Sequence, residues 1–112
     1  MALAKKYRLT GKKDFQSLFY RGHTIKSDFL IVKFLKNNLK HPRIAITVPL
    51  KISKKAVIRN KIRRLIAEVV RKINYQSRSI DMIIISSPSI VDKSFEEIKR
   101  DLESIINAVT SQ

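Results

Sequence analysis

The sequence predicts an α/β (α+β) two-layer sandwich, with helices packed on a small mixed sheet of about four strands. Three observations lead there. Short β-rich runs alternate with stretches of helical apolar spacing. Their order along the chain is αβββαβα. The longest helix joins two strands that can lie parallel, which is the crossover of an α/β layer. A chain of 112 residues suits one domain, 1–112, with residues 1–9 as a short basic arm.

Each element has a local cause. Residues 11–20 read as a helix in which Phe15, Leu18 and Phe19 share a face, Thr10 caps the start and Gly22 ends it. Residues 23–27 read as a short edge strand. Residues 29–35, Phe-Leu-Ile-Val-Lys-Phe-Leu, are rich in β-formers and place Phe29 and Phe34 on opposite faces. Asn37-Asn38 marks a turn. Residues 43–48 alternate, with Ile44, Ile46 and Val48 on one face, and Pro49 stops the strand. From about Lys54 to Ile73, the residues Ile58, Ile62, Leu65, Ile66, Val69 and Ile73 recur at helical spacing, with Ser53 as a cap. Residues 80–85 form an apolar run that suits a central strand. The last helix starts near Ser94. Ser94 and Glu97 fit a capping box, and Phe95, Ile98, Leu102, Ile105, Ile106 and Val109 form its apolar stripe.

Charge narrows the function. There are 24 Lys and Arg against 9 Asp and Glu, a net +15. Residues 1–91 hold 21 of the basic and 4 of the acidic residues; 92–112 hold the other 3 and 5. One part of the fold is therefore expected to face a polyanion and the C-terminal segment to face away. RNA, DNA and an anionic membrane all satisfy that composition. No apolar run approaches the roughly 20 residues that span a bilayer. The first six residues lack a signal-peptide layout, and the absence of cysteine suits a reducing cytoplasm.

A protein-based active site finds little support. His23 and His41 have no ligand partner at i+3 or i+4 and read as surface residues, so no metal site is expected. The carboxylates of the basic part form no evident pair. Asp92, Glu96, Glu97, Asp101 and Glu103 read as a solvated helix face with acids near its positive end. No phosphate-cradling glycine loop is present.

Two features invite an anion instead. Residues 51–64 read Lys-Ile-Ser-Lys-Lys-Ala-Val-Ile-Arg-Asn-Lys-Ile-Arg-Arg. At about 100° per residue, Arg59 and Arg63 flank the apolar stripe on one edge, Lys61 and Lys72 on the other, and Asn60, Arg64 and Arg71 point outward. Arginine forks bind phosphate, and Asn60 can bond a phosphate, a sugar hydroxyl or a base edge. A solvated basic face is the plainer reading, but such faces usually mix signs. The same helix could lie on lipid, were its apolar side not committed to the sheet. The second feature is Phe15 and Phe19, one turn apart beside Lys12, Lys13 and Arg21, with Phe34 on the strand that follows. Aromatics among cations stack single-stranded bases. The competing reading of each phenylalanine is core.

The run Ala56-Val57-Ile58-Arg59-Asn60-Lys61-Ile62-Arg63-Arg64-Leu65-Ile66-Ala67-Glu68 resembles the A-x-x-R-N-(R/K)-x-(K/R)-R helix of the bacterial ribonuclease P protein family. Tyr7-Arg8-Leu9 with Asp14-Phe15, Phe19 and Gly22 resembles that family's N-terminal pattern. Arg43 to Val48 and Asp81 to Ile85 resemble two of its strands. The sequence departs from the family at Ala45, at Pro49-Leu50-Lys51 and at Ala67, where glycine, two lysines and arginine are usual.

The resemblance implies a partner, a reaction and a topology. The protein would serve a large catalytic RNA that, with Mg²⁺, removes the 5′ leader of precursor tRNA. The catalytic centre would lie in the RNA, with Mg²⁺ held mainly there. Lys51, Lys54, Lys55, Arg59, Asn60, Lys61, Arg63 and Arg64 would face the catalytic RNA. Phe15, Phe19, Lys12 and Phe34 would line a cleft for the leader, although Val32 competes with Phe34 for that place. The βαβ crossover would be left-handed, against the usual rule. No membrane and no obligate protein partner is expected. Two other readings remain open: a ribosomal or other structural RNA-binding protein, and a DNA-binding protein. The second lacks a helix-turn-helix pattern.

Overall fold

The computed structural model describes residues 7–72 and 79–110. Within them the chain runs α1 (Lys12–Arg21), β1 (His23–Lys26), β2 (Leu30–Lys36), β3 (Arg43–Thr47), α2 (Ala56–Lys72), β4 (Ile80–Ser86), a short 3₁₀ turn (Pro88–Asp92) and α3 (Phe95–Thr110). The expected order of elements is reproduced. The strands form one sheet in the order β1-β2-β4-β3. β2 lies antiparallel to β1 and β4, while β3 and β4 are parallel and joined through α2. No described helix is long and apolar enough to cross a membrane.

Strand alternation divides the sheet into two faces. Leu30, Val32, Phe34, Ile44, Met82 and Ile84 face α2 and α3 and share one core with Ile62, Ile66, Val69, Val70, Ile98, Leu102 and Ile106. This is the main two-layer sandwich. β4 sits inside the sheet with Ile80, Met82, Ile83 and Ile84 all buried, which explains its unbroken apolar run. The other face carries a smaller cluster of Leu9, Leu18 and Ile83, flanked by Phe15, Leu35, Ala45 and Ile85. α1 covers this second face.

Element ends show where local signals act. Ser94 Oγ accepts from the Glu97 N–H at 3.2 Å, and Glu97 Oε1 accepts from the Ser94 N–H at 3.2 Å. The expected capping box is therefore formed. The Thr10 cap is not: Gly11 occupies the N-cap of α1, with no side-chain hydrogen bond. Ser53 Oγ accepts from the Lys55 N–H at 3.2 Å, one turn ahead of α2, so it orders the entry loop without being the cap. Gly22 does end α1, but its φ of −73° is open to any residue. Its requirement is space, since a Cβ there would lie 2.5 Å from the Leu18 carbonyl oxygen.

Two other expectations change. β2 begins at Leu30, so Phe29 precedes the strand and the alternation count does not reach it; Phe29 and Phe34 join the same core. Residues 7–9, expected to be the end of a basic arm, dock instead. Arg8 pairs with Ile44, the Leu9 N–H donates to the Ile44 carbonyl at 3.0 Å, and Leu9 is buried. The reason is that β3 is an edge strand with unused backbone groups. Residues 1–6, and Ile73 of the predicted helix stripe, lie outside the described residues.

Candidate RNA interface

α2 sets one surface. Ile62, Ile66, Ala67, Val69 and Val70 are buried against the sheet and α3, with Ile58 and Leu65 half-buried beside them. That packing fixes which way the cations point. Lys51, Lys54 and Lys55 are exposed in the entry loop, and Asn60, Lys61 and Arg64 are exposed on the helix. Arg59 and Arg63 are half-buried at one edge.

Some of these groups are held in place. Arg59 Nη1 donates to the Ser53 carbonyl at 2.8 Å, tying the helix to its entry loop. Arg63 Nη1 donates to Asn60 Oδ1 at 2.6 Å. Among the described residues, the only ion pair on this helix is Arg71 with Glu68, one turn from its C-terminal end. Lys51, Lys54, Lys55, Arg59, Lys61, Arg63 and Arg64 have no acidic partner there.

The helix dipole sharpens this. The first turn of α2 has no acid, and Lys54 and Lys55 stand just ahead of it. Cations at a positive helix end are unfavourable until an anion arrives. α3 makes the contrast, with Glu96 and Glu97 in its first turn. Bonds from the Ser94 backbone and hydroxyl, in that order, hold the Glu97 carboxyl below its ordinary pKa.

α1 sets a second surface on the opposite face of the sheet. Lys12, Phe15 and Phe19 fall on one stripe, because seven residues bring a helix round to within about 20°. The Phe15 and Phe19 rings stack with centroids 6.3 Å apart and planes 22° off parallel. Phe15 is half-buried against the smaller cluster, whereas Phe19 is 47% exposed. Across the gap, Lys33 Nζ lies 4.9 Å from the Phe19 ring centroid and 3.3 Å from Thr24 Oγ1 on β1. Tyr20, 85% exposed, stands edge-on to Phe19 at 6.3 Å.

Phe34 is not part of this cleft. Its ring is buried in the main core, on the face of β2 turned away from α1. Val32 lies there too. Ile31, Lys33 and Leu35 alternate to the cleft face, which makes Lys33 the strand residue that meets Phe19. Sequence reasoning missed Lys33 and Tyr20. The alternation of 30–36 carries the Lys33 signal, but not which of the two faces meets α1.

The carboxylates also come together in a way the sequence did not suggest. Asp81, 11% exposed in its side chain, receives Arg43 Nε at 3.0 Å and Nη2 at 2.7 Å. Asn37 Nδ2 donates to the same carboxylate at 2.8 Å. Arg43 Nη1 reaches Asp14 Oδ2 at 2.9 Å. The bonds to Asp81, outweighing partial burial and helped by Asp14, raise the Arg43 pKa above its ordinary value. Both carboxylates are turned onto the guanidinium, Asp81 through both oxygens and Asp14 through Oδ2. Among the described residues no three His, Asp or Glu side chains converge.

A family model described as Ribonuclease P matches residues 3–110. The chain belongs to the ribonuclease P protein family. Curated relatives in this family carry the name ribonuclease P protein component. One from Lactococcus lactis is 31% identical over 106 residues, covering 95% of this chain and 90% of its own. One from Vibrio vulnificus is 34% identical over 97 residues, covering 87% and 82%. Solved ribonuclease P proteins share the fold. A Staphylococcus aureus mutant with defective mRNA degradation activity superposes with a TM-score of 0.84 at 29% identity, covering 95% of this chain and 90% of that one. The Thermotoga maritima protein gives 0.77 at 25% identity, covering 88% and 93%.

Proposed function

We propose that this chain acts as the protein component of ribonuclease P by holding two RNAs on two surfaces. α2 and its entry loop bind the catalytic RNA through Lys51, Lys54, Lys55, Arg59, Asn60, Lys61, Arg63 and Arg64. Lys12, Phe15, Phe19 and Lys33 bind the single-stranded 5′ leader of precursor tRNA.

The observation that carries this reading is the α2 face, where seven cations lack an acidic partner among the described residues and no acid neutralises the first turn. Such a face gains most from phosphate, by charge-assisted bonds and by release of counterions. The cleft supports the second half. A half-exposed ring with an ammonium over it offers a base a stacking surface and its phosphate a cation. Because α1 and α2 lie on opposite faces of the sheet, one RNA can occupy each surface without displacing the other.

The chain's own residues bind and orient; we place the bond-breaking step and its Mg²⁺ on the RNA. The proposed setting is the cytoplasm, which suits a chain without cysteine.

Reconstitution tests the proposal. The protein is mixed with a bacterial ribonuclease P RNA and 5′-labelled precursor tRNA, at Mg²⁺ low enough that the RNA alone is nearly inactive. Release of the leader at the mature 5′ end only when protein is present supports the reading. Unchanged cleavage across several such RNAs, with retention of ribosomal RNA instead, replaces it with structural RNA binding.

A further inference from the structure

Among the described residues, α1, ten residues long, is the one helix on its face of the sheet, where Leu9 shares its apolar cluster. One buried side chain, Leu18, seats it there, with Phe15 half-buried beside it. An apolar contact of that size resists separation but directs orientation weakly, since hydrophobic burial is non-directional. Orientation needs a directional contact at the other end of the helix, and Arg43 provides one. Its Nε and Nη2 grip Asp81 within the sheet, and its remaining Nη1 meets Asp14 in the first turn of α1.

The guanidinium is rigid and its grip on Asp81 is bidentate, so its third edge points in one direction. The grip is itself braced. Arg43 and Asp81 are register partners on β3 and β4, and Asn37 links the carboxylate to the His41 carbonyl at 3.2 Å. The place where Asp14 binds is thus set by the sheet. Phe15 follows Asp14 directly, and Phe19 lies one turn beyond, opposite Lys33.

We propose that Arg43 is a positioning residue for the leader cleft: by bridging Asp81 of the sheet to Asp14 of α1, it sets the separation and pitch at which α1 presents Phe15 and Phe19 to the nucleic acid. The inference rests on the reading of α1 as the leader-binding helix. It adds that cleft geometry is controlled from the far end of that helix, by a pair bonded to each other between sheet and helix.

The test is a double-mutant cycle in the reconstituted holoenzyme, using D14N, F19A and the pair together. D14N keeps the shape of Asp14 and removes its charge. Asp14 is half-exposed, so the expected effect is modest: KM for precursor tRNA rises roughly two- to fivefold, as for exposed ion pairs. The kcat, the affinity for mature tRNA and the affinity for the catalytic RNA stay unchanged. D14E restores the charge and is expected to recover much of the KM. In the F19A background D14N should add clearly less than it does alone, because one of the two rings it positions is gone.

Additive effects of D14N and F19A, or an equal loss on precursor and mature tRNA, would overturn the proposal and leave the bridge as a general stabilising contact. If F19A itself fails to separate precursor from mature tRNA, the leader reading of α1 is what fails. If F19A separates them and D14N does nothing, the leader reading stands and the positioning role falls.

Discussion

The ammonium of Lys33 lies 4.9 Å from the centroid of the Phe19 ring, joining β2 to α1 across the open part of the second sheet face. A cation over a ring is worth roughly 0.5–1 kcal/mol at an exposed site. That is too little to hold α1 down, and Leu18 does that. The contact instead leaves one face of a half-exposed ring and a charge side by side.

Phe19→Ala is expected to weaken precursor tRNA by about 1–3 kcal/mol, the range for one lost base stack. Mature tRNA, which has no leader, should bind as before. Lys33→Gln should cost less, and its effect should shrink as salt rises. Competition binding of the two tRNAs at two salt concentrations measures both. Equal weakening of mature and precursor tRNA by Phe19→Ala would mean the ring is structural.

Arg59→Ala and Arg64→Ala are each expected to weaken the catalytic RNA and to lower the slope of log K against log salt by about 1. Arg59→Lys should not restore binding, because an ammonium lacks the fork that reaches both the Ser53 carbonyl and a phosphate. Filter binding over a salt series reads the slope. An unchanged slope in both alanine variants removes α2 from the interface.

Gly22→Ala should destabilise the fold by about 1–3 kcal/mol, the usual cost of forcing an extra carbon into a packed site. The new Cβ would meet the Leu18 carbonyl oxygen at 2.5 Å and the Phe34 carbonyl oxygen at 3.0 Å, and both are backbone atoms that yield only if α1 or β2 moves. Urea unfolding measures it. A midpoint equal to that of the parent protein would show that α1 shifts freely.

Ser94→Ala should lower stability at neutral pH and return the Glu97 carboxyl part of the way to the ordinary glutamate range, since the backbone N–H bond at position 94 survives and only the hydroxyl bond is lost. Glu97 has a lowered pKa in the fold, so its contribution is complete above its unfolded pKa and is lost as pH falls through the folded value. The stability gap between Ser94→Ala and the parent should therefore narrow in acid. Carboxyl NMR titration with denaturant melts at several pH values checks both points. A Glu97 titration unmoved by the substitution would contradict the capping geometry.

Local patterns carried much of the architecture. The stripe Ile62, Ile66 and Val69 located α2, and the Ser94–Glu97 pair placed the start of α3 near Ser94, where the helix begins at Phe95. Both depend on side chains three or four positions apart, a distance the chain itself sets. The outward turn of Asn60 and Arg64 follows from the same spacing, so the α2 half of the candidate interface was legible as well. The cleft half was legible only on α1.

Spacing along the chain is therefore enough to give the order of elements, the buried stripe of each long helix and the uncompensated basic face of α2. The tertiary structure alone decided which side of β2 meets α1. Alternation separates Lys33 from Phe34, but both faces of this sheet are partly apolar, and one face must take two helices while the other takes one. Phe34 went to the larger core and Lys33 to the cleft. The same holds for Asp14, Arg43 and Asp81, which lie far apart along the chain and meet because β3 and β4 are paired in register under the first turn of α1. No local period encodes a contact among three residues on three elements. Packing creates it, and with it the position of the rings that the cleft presents.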